Sequence, residues 1–170
     1  MNDPERYAFH PARLADLPLL RRWQGAPHVR RWWGDTDPYD ATTLEDPRVS
    51  RWIVAIDGRP FAYMQDYSVH GWGHHHFGHL ACGSRGIDQY IGDPRMIGHG
   101  HGPAFICQRM KALFDGEVPF IATDPHPGNA RAIAAYAKVG FCVAGSAQQT
   151  GWGLVLPMIA PNERRAKSSP

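Results

Sequence analysis

A single α+β domain with a mixed α/β sheet is the fold this chain predicts, on three observations. A β-hairpin is written at residues 52–69, short apolar strands alternate with helices after it, and a glycine-rich turn opens directly into an apolar helix. At 170 residues the chain supports one well-packed domain and is too short for two comfortable ones. Hydrophobic residues at 43% and charged residues at 20% mark a globular composition and exclude a disordered one.

The elements follow in order. Residues 7–9 read as a short strand. Residues 12–23 read as a helix, with Leu14, Leu17, Leu20 and Trp23 at roughly helical spacing and Pro18 as a blemish. A second short helix covers 28–33 and ends at Gly34. The Asp-, Pro- and Thr-rich segment 35–49 reads as loop or short helix over a site. Residues 52–56 and 61–69 are the hairpin strands, with Asp57-Gly58 as the turn. Segment 70–84 is loop-like and carries His70, His74, His75, His76 and His79 among glycines. Arg85–Ile91 reads as a strand, followed by Asp93-Pro94 and the glycine turn. The helix 103–114 has Pro103 in its first turn, where a missing amide does little harm. A strand at 118–123 and a helix at 129–139, closed by Gly140, come next. Strands at 141–144 and 154–159 complete the set, with Pro157 marking an edge or strand end. The tail 161–170 is polar and reads as unstructured.

The net charge of +2 is nearly balanced and argues against an extended nucleic-acid surface. Cys82, Cys107 and Cys142 are widely spaced and odd in number, which gives no disulfide framework and fits a reducing cytoplasm. The N-terminus lacks a basic-then-apolar signal, and no apolar run approaches membrane-spanning length. The expectation is a cytoplasmic protein with neither nucleic-acid nor membrane partner; monomer and homodimer stay open. His74-His75-His76 with His79 are metal-ligand types, but consecutive histidines cannot all face one ion and no Cys or acid lies near. No metal site is expected.

Gly98, Gly100 and Gly102 stand at alternate positions before the helix. They let the backbone bend closely around a ligand while its amides sit at the positive end of a helix dipole, a recipe for holding phosphate or pyrophosphate.

Three segments stand in a telling order: Gly86-Ile87-Asp88-Gln89, then the glycine turn, then Thr123-Asp124-Pro125-His126-Pro127-Gly128-Asn129-Ala130-Arg131-Ala132-Ile133, running on through Tyr136, Lys138 and Gly140-Phe141. This set resembles the GNAT superfamily of acyl-CoA-dependent N-acetyltransferases. Its closest likeness is to aminoglycoside 6′-N-acetyltransferases, with siderophore-related lysine acyltransferases as cousins. Trp23 and His28-Val29-Arg30-Arg31-Trp32-Trp33 also look like that subgroup. The resemblance implies one domain over residues 1–160, a central mixed twisted sheet with an N-terminal antiparallel hairpin and flanking helices, and a tail over 161–170.

The implied reaction moves an acetyl group from the co-substrate acetyl-CoA to a primary amine of a small molecule, first the 6′-amine of an aminoglycoside antibiotic. Acylation of a lysine or hydroxylysine amine in siderophore building is the alternative within enzymes. A non-catalytic CoA- or metal-binding module is the alternative outside them. The resemblance puts Ile97, Gly98, His99, Gly100, His101 and Gly102 at the pyrophosphate, and Gln89, Tyr90, Ile91, Asn129, Ala132 and Tyr136 along the rest of the CoA. The family pattern Q/R-x-x-G-x-G/A places Ile97 where a Gln or Arg usually stands, so one side-chain feature is missing; Arg95 lies near as a compensating cation. His99 and His101 read either as polar contacts or as exposed loop histidines. Asn129 reads as a CoA contact, a helix N-cap, or both.

Asp88 is implied to sit beside the acceptor amine. An ordinary carboxylate is poorly matched to an ammonium, so Asp88 positions the amine and relays its proton as the bond forms; the other reading is a surface acid at a strand end. Tyr136 is implied to donate toward the CoA sulfur, or else is a core tyrosine with a hydrogen-bonded tip. Asp124 faces the cationic acceptor or braces the turn that follows it. Trp32 and Trp33 wall the acceptor cleft or belong to the core.

One departure bears on the substrate. Aminoglycosides are polycations, yet residues 69–87 and 145–153 contain no Asp or Glu. Asp88 and Asp124 remain, with Asp66 and the acids between Asp35 and Asp40 as supplements. A less negative cleft attracts a polycation less strongly, so a monoamine, a lysine-like side chain or a smaller amino sugar competes.

Overall fold

The structure is a computed structural model that describes residues 6–34 and 37–163. In chain order its elements are β1 (Ala8–Pro11), α1 (Leu17–Gln24), α2 (Pro27–Trp33), α3 (Ala41–Glu45), β2 (Val49–Ile56), β3 (Arg59–Ser68), β4 (Arg85–Ile91), α4 (His101–Asp115), β5 (Phe120–Thr123), α5 (Ala130–Lys138), β6 (Cys142–Val143), β7 (Gln148–Thr150), β8 (Gly153–Val155) and β9 (Met158–Pro161). Seven strands form one sheet in the order β1-β2-β3-β4-β5-β9-β6, while β7 and β8 pair separately. Among the described residues only the β4–β5 pair is parallel, so the sheet is mixed as expected.

Strand alternation sorts the core into two layers. Val54, Ala62, Met64 and Ile87 face one way and pack with Phe105, Ile106, Met110 and Leu113 of α4 and with Tyr136 and Phe141. Ile53, Tyr63 and Tyr90 face the other way, against Leu20, Trp23, Val29 and Tyr39. The sheet is thus covered by α4 and α5 on one face and by α1 and α2 on the other. Asp57 and Gly58 both have positive φ, at 50° and 72°, the geometry that lets a two-residue turn follow the twist of β2 and β3.

Several expectations shift in detail. The helix read over 12–23 starts only at Leu17; Leu14–Asp16 is a separate 3-10 turn closed by Asp16 Oδ2 accepting from the Arg13 amide at 2.8 Å. Pro18 is no blemish, because it sits in the first turn of α1, where its missing amide has no intrahelical partner to lose. Helix α4 begins at His101, two residues before Pro103, since Gly100 at φ 79° turns the chain into it. The strand read over 154–159 is two strands, parted at Leu156-Pro157. Strand β7, polar throughout, is absent from the sequence reading. Segment 35–49 holds α3, whose N-cap Asp40 accepts from the Thr43 amide at 2.7 Å. Residues just past 160 take part in the fold: Pro161 ends β9, and buried Asn162 donates to the carbonyls of Phe114 and Val118 at 3.1 and 3.0 Å. Residues 164–170 of the expected tail, and Asp35, lie outside the described residues.

Candidate active site

Strand β4 pairs with β3 along its whole length but meets β5 only at Arg85 and Gly86. Beyond Gly86 the two parallel strands part, and the opening continues into a cleft of about 1270 Å³. Gly98, Gly100 and Gly102 line it where α4 begins, Asp88 and Asp124 line it where β4 and β5 part, and Asn129 and Trp32 line it too, Trp32 lying against the His126–Gly128 turn. A Cβ at Gly86 would lie 2.3 Å from the Tyr67 ring, so only glycine lets that ring lie over the point where the strands separate.

The glycine end has the features of an anion cradle. Gly98 and Gly100 hold φ of 84° and 79°, and a Cβ on either, or on Gly102, would meet nothing within 4 Å. The first-turn amides of α4 have no intrahelical acceptors and carry the positive end of the dipole. Ala132 and its neighbours on α5 present small side chains to the cleft, leaving a slim channel beside β4, whose Gln89, Tyr90 and Ile91 also line it. Asn129 is the helix N-cap read for it, its Oδ1 accepting from the Ala132 amide at 3.2 Å, and it also lines the cleft.

Three sequence-stated contacts are rearranged. The His101 side chain turns into the core, where its Nδ1 lies 2.9 Å from Tyr7 Oη and its ring packs on Tyr7 and Phe61. Burial lowers its pKa and keeps it neutral. It is neither a polar ligand contact nor an exposed loop residue; helical geometry from Gly100 onward swings it inward, leaving only its backbone amide for the cradle. His99 is exposed and does not line the cleft. Arg95 does not compensate for Ile97, because it is 87% exposed and paired to Asp93 at 2.8 Å, while Ile97 itself lines the cleft.

Where the strands part, Asp88 is half-buried on β4. Gln65 Nε2 donates to its Oδ2 at 2.8 Å, and Gln65 Oε1 accepts from Tyr63 Oη at 2.8 Å, which fixes the carboxylate from beneath. Loss of water, then the negative charge of Asp124, pushes the Asp88 carboxyl up to about 7; the Gln65 bond offsets part of this. A carboxyl with that affinity is far better matched to an amine than an ordinary one. Asp124 sits where β5 ends, and His76 Nε2 lies 2.8 Å from its Oδ2 without the alignment of a hydrogen bond. Tyr136 on α5 is buried and meets Phe141 edge-on. Burial raises its phenol pKa, with the Thr123 and Gln89 side chains acting against that rise.

Trp32 and Trp33 both line the cleft. Trp32 is 38% exposed, with the Arg31 guanidinium 4.9 Å from its ring, whereas Trp33 also packs on Tyr63 and Tyr90. Asp66 is no supplement to the acceptor end: it is buried on the opposite face, held by Arg85, Arg109 and the Trp52 indole. Asp40 is spent on capping α3, and Asp37 lines the cleft.

The loop 70–84 supplies a wall of rings to the cleft. Trp72 stacks on Tyr67, with centroids 6.0 Å apart and planes within 6°, and the Arg48 guanidinium covers Trp72 at 4.2 Å. His75 packs against Trp152 of the β7–β8 turn, and burial, then the charge of His76, lowers its pKa to about 4. His75 is therefore a neutral ring at physiological pH. Among the described residues no group of three or more His, Cys, Asp or Glu side chains is arranged to hold a metal ion. Trp72 among the histidines and Trp152 between glycines were the available sequence signals for this wall.

Residues 13–148 match the family described as acetyltransferase (GNAT) domain. An aminoglycoside N(6′)-acetyltransferase type 1 of Klebsiella pneumoniae is 33% identical over 141 residues, 74% of this chain and 69% of that relative. A solved structure of AAC(6′)-Ib in complex with paromomycin and acetyl-CoA superposes with a TM-score of 0.84 at 28% identity, covering 98% of this chain and 99% of the other. AAC(6′)-Ib with coenzyme A and kanamycin gives a TM-score of 0.83 at 29% identity, over 95% of this chain and 98% of that one. Strands that part beside a glycine-led helix, and a match across most of the sequence, lead to one assignment: this chain belongs to the GNAT acetyltransferase family.

Proposed function

We propose that the protein transfers the acetyl group of acetyl-CoA to a primary amine of a small molecule, the 6′-amine of an aminoglycoside. The observation that carries this reading is the single cleft that joins the glycine cradle to the Asp88–Asp124 end where β4 and β5 separate. The relatives named above as aminoglycoside acetyltransferases, one of them, AAC(6′)-Ib, solved twice with an aminoglycoside and a CoA species, support the choice of substrate.

In this reading the amides of Gly98 to Gly102 and the first turn of α4 bind the pyrophosphate. The unpaired side of β4 and the alanine face of α5 hold the pantetheine arm in extended form. Acetyl-CoA, when bound, supplies an activated thioester. Asp124 orients the acceptor ammonium, and Asp88 takes a proton from it and passes that proton to water. As the nitrogen lone pair forms the new C–N bond, the C–S bond breaks and its electron pair leaves on sulfur. Tyr136 guides the second nitrogen proton to that sulfur by donating its own, so the products are the amide, the free thiol and one released proton. Burial keeps Tyr136 protonated for this task.

The three cysteines are free, which agrees with a reducing, cytoplasmic setting; no described helix is long and apolar enough to cross a membrane. The test is thiol release from acetyl-CoA with kanamycin and a panel of other amines. Turnover with kanamycin, acetylated at the 6′-nitrogen, is the expected result. No turnover with any aminoglycoside, despite turnover with another amine, overturns the substrate assignment.

A further inference from the structure

Arg51, Gln65 and Asp88 stand opposite one another on β2, β3 and β4 in direct register. All three line the cleft, so a cation and a carboxylate face the acceptor space two strand spacings apart, roughly 10 Å. Arg51 has no carboxylate partner among the described residues. Its Nη1 donates to the Val49 carbonyl at 3.2 Å, and its Nε is buried without any partner. Asp46, the acid whose charge it feels, is already held by Arg48 at 2.7 Å.

Two tyrosines of the same cleft also lack aligned hydrogen bonds. Tyr39 and Tyr90 are 5% and 7% exposed, line the same cleft, and have hydroxyls without a hydrogen bond. Tyr39 reaches the hydroxyls of Tyr63 and Tyr90 and feels the charge of Arg51, but neither the Tyr39 nor the Tyr90 hydroxyl has a partner in hydrogen-bond alignment. Buried donors left unpaired are destabilising, and the Arg51 Nε with the two hydroxyls that line the same cleft mark the place of a missing acceptor group. A guanidinium fork and two phenols match the two oxygens of a carboxylate. A monoanion balances the single arginine, whereas a dianion would add net negative charge to a cleft that already holds Asp88 and Asp124.

We propose that Arg51, Tyr39 and Tyr90 form a carboxylate subsite, so that the enzyme also acetylates compact amino acids whose amine reaches Asp88 while their carboxylate rests on Arg51. The proposal builds on the acetyl-transfer reading of Asp88, and the step is the same one: C–N forms, C–S breaks, one proton leaves through Asp88 and one ends on sulfur. It also gives a physical purpose to a loop wall without acids, since a zwitterion needs no ring of carboxylates.

The experiment compares 6-aminohexanoate, whose extended length suits that spacing, with hexylamine, which lacks the carboxylate, in the thiol-release assay; kanamycin is run alongside. The wild-type protein is expected to show kcat/KM about tenfold higher for 6-aminohexanoate than for hexylamine, as for a charge-assisted contact. Arg51→Gln should bring that ratio near one, Arg51→Lys should restore part of it, and Tyr39→Phe and Tyr90→Phe should each lower it. The ratio is internal to each variant, so impaired folding moves both acceptors together. A wild-type ratio near one, or a ratio unchanged by Arg51→Gln, overturns the subsite. Kanamycin turnover without 6-aminohexanoate turnover overturns the subsite alone; no turnover with any of the three overturns the acetyl-transfer reading beneath it.

Discussion

His76 Nε2 lies 2.8 Å from Asp124 Oδ2, and the two side chains are only 8% and 13% exposed. The acid assigned to the acceptor ammonium thus already has a neighbour that competes for it. Replacing His76 by Ala frees the carboxylate for the substrate. The expected outcome is a kanamycin KM lower by roughly fivefold, the scale of one partly screened ion contact. Steady-state kinetics with kanamycin and with a monoamine check it. An equal change for both acceptors, or a rise in KM, would show that His76 serves only to pack the loop against Phe77.

Asp88→Asn separates chemistry from stability. Its carboxyl is raised from 3.8 to about 7 in the folded protein, first by burial and then by Asp124. The folded state therefore binds that proton more tightly than the unfolded state. The resulting stability is fully present below pH 3.8, is lost as pH climbs through about 7, and stays lost above it. Asparagine, which never ionises, should stabilise the protein at pH 8 by on the order of 2 kcal/mol and leave it unchanged near pH 4. Turnover should fall at least about a hundredfold with CoA affinity retained, and wild-type activity should rise with pH through about 7. Thermal melts at the two pH values and a pH–rate profile measure each limb; lower stability at pH 8 would contradict the burial argument.

The part of this design visible in the sequence is the part governed by neighbours along the chain. The Asp57-Gly58 turn fixes the hairpin, and Gly100 with the apolar run after it fixes the cradle and α4. Asp88, Asp124 and Tyr136 each sit in a local motif, and all three line the cleft. What stayed hidden depends on contacts between distant segments. Nothing near His101 tells it to pair with Tyr7, 94 residues away. Asp66 looks like any strand acid until Arg85 and Arg109 arrive from β4 and α4. The Arg51–Gln65–Asp88 line exists only through strand register, which periodicity leaves undetermined within a few residues. Polar β7, with no apolar alternation to betray it, forms only because β8 is there to pair with.

Tyr136→Phe tests the proton donor. Because burial raises the phenol pKa, the hydroxyl stays protonated across the working range and gives no alkaline limb to the rate profile. Removing it should lower kcat by roughly ten- to a hundredfold with little change in acceptor KM. The ring and its edge-on contact with Phe141 remain, so the melting temperature should change little. A loss confined to KM would move Tyr136 from donor to structural support.

Asp66→Ala probes the opposite face of the sheet. Asp66 is 1% exposed and accepts from Arg85, Arg109 and Trp52, while the Arg109 guanidinium also lies 4.4 Å over the Trp52 ring. Its removal strands two arginines that are 25% and 18% exposed, so some water reaches them. Destabilisation of about 2–3 kcal/mol is expected, below the full range for a completely buried pair. Urea denaturation measures it; a change under about 0.5 kcal/mol, the scale of ordinary surface sites, would mean the network contributes little.

Two alanine substitutions in the cradle should move stability in opposite directions while moving CoA affinity in the same one. Gly100 is at φ 79°, where a side chain is strained, so Gly100→Ala should destabilise by about 1 kcal/mol. Gly102 lies within the first turn of α4 without positive φ, so Gly102→Ala should stabilise by up to about 1 kcal/mol through helix propensity. Neither new methyl meets protein within 4 Å; each projects into the space around the loop. If the amides there grip pyrophosphate at close range, both methyl groups stand in its way, and both variants should bind CoA at least about tenfold more weakly. Calorimetric titration with CoA, set beside thermal melts, reads the two effects separately. Tight CoA binding by the stabilised Gly102→Ala variant would show that the phosphates sit elsewhere, because there the loss of affinity has no folding defect to hide behind.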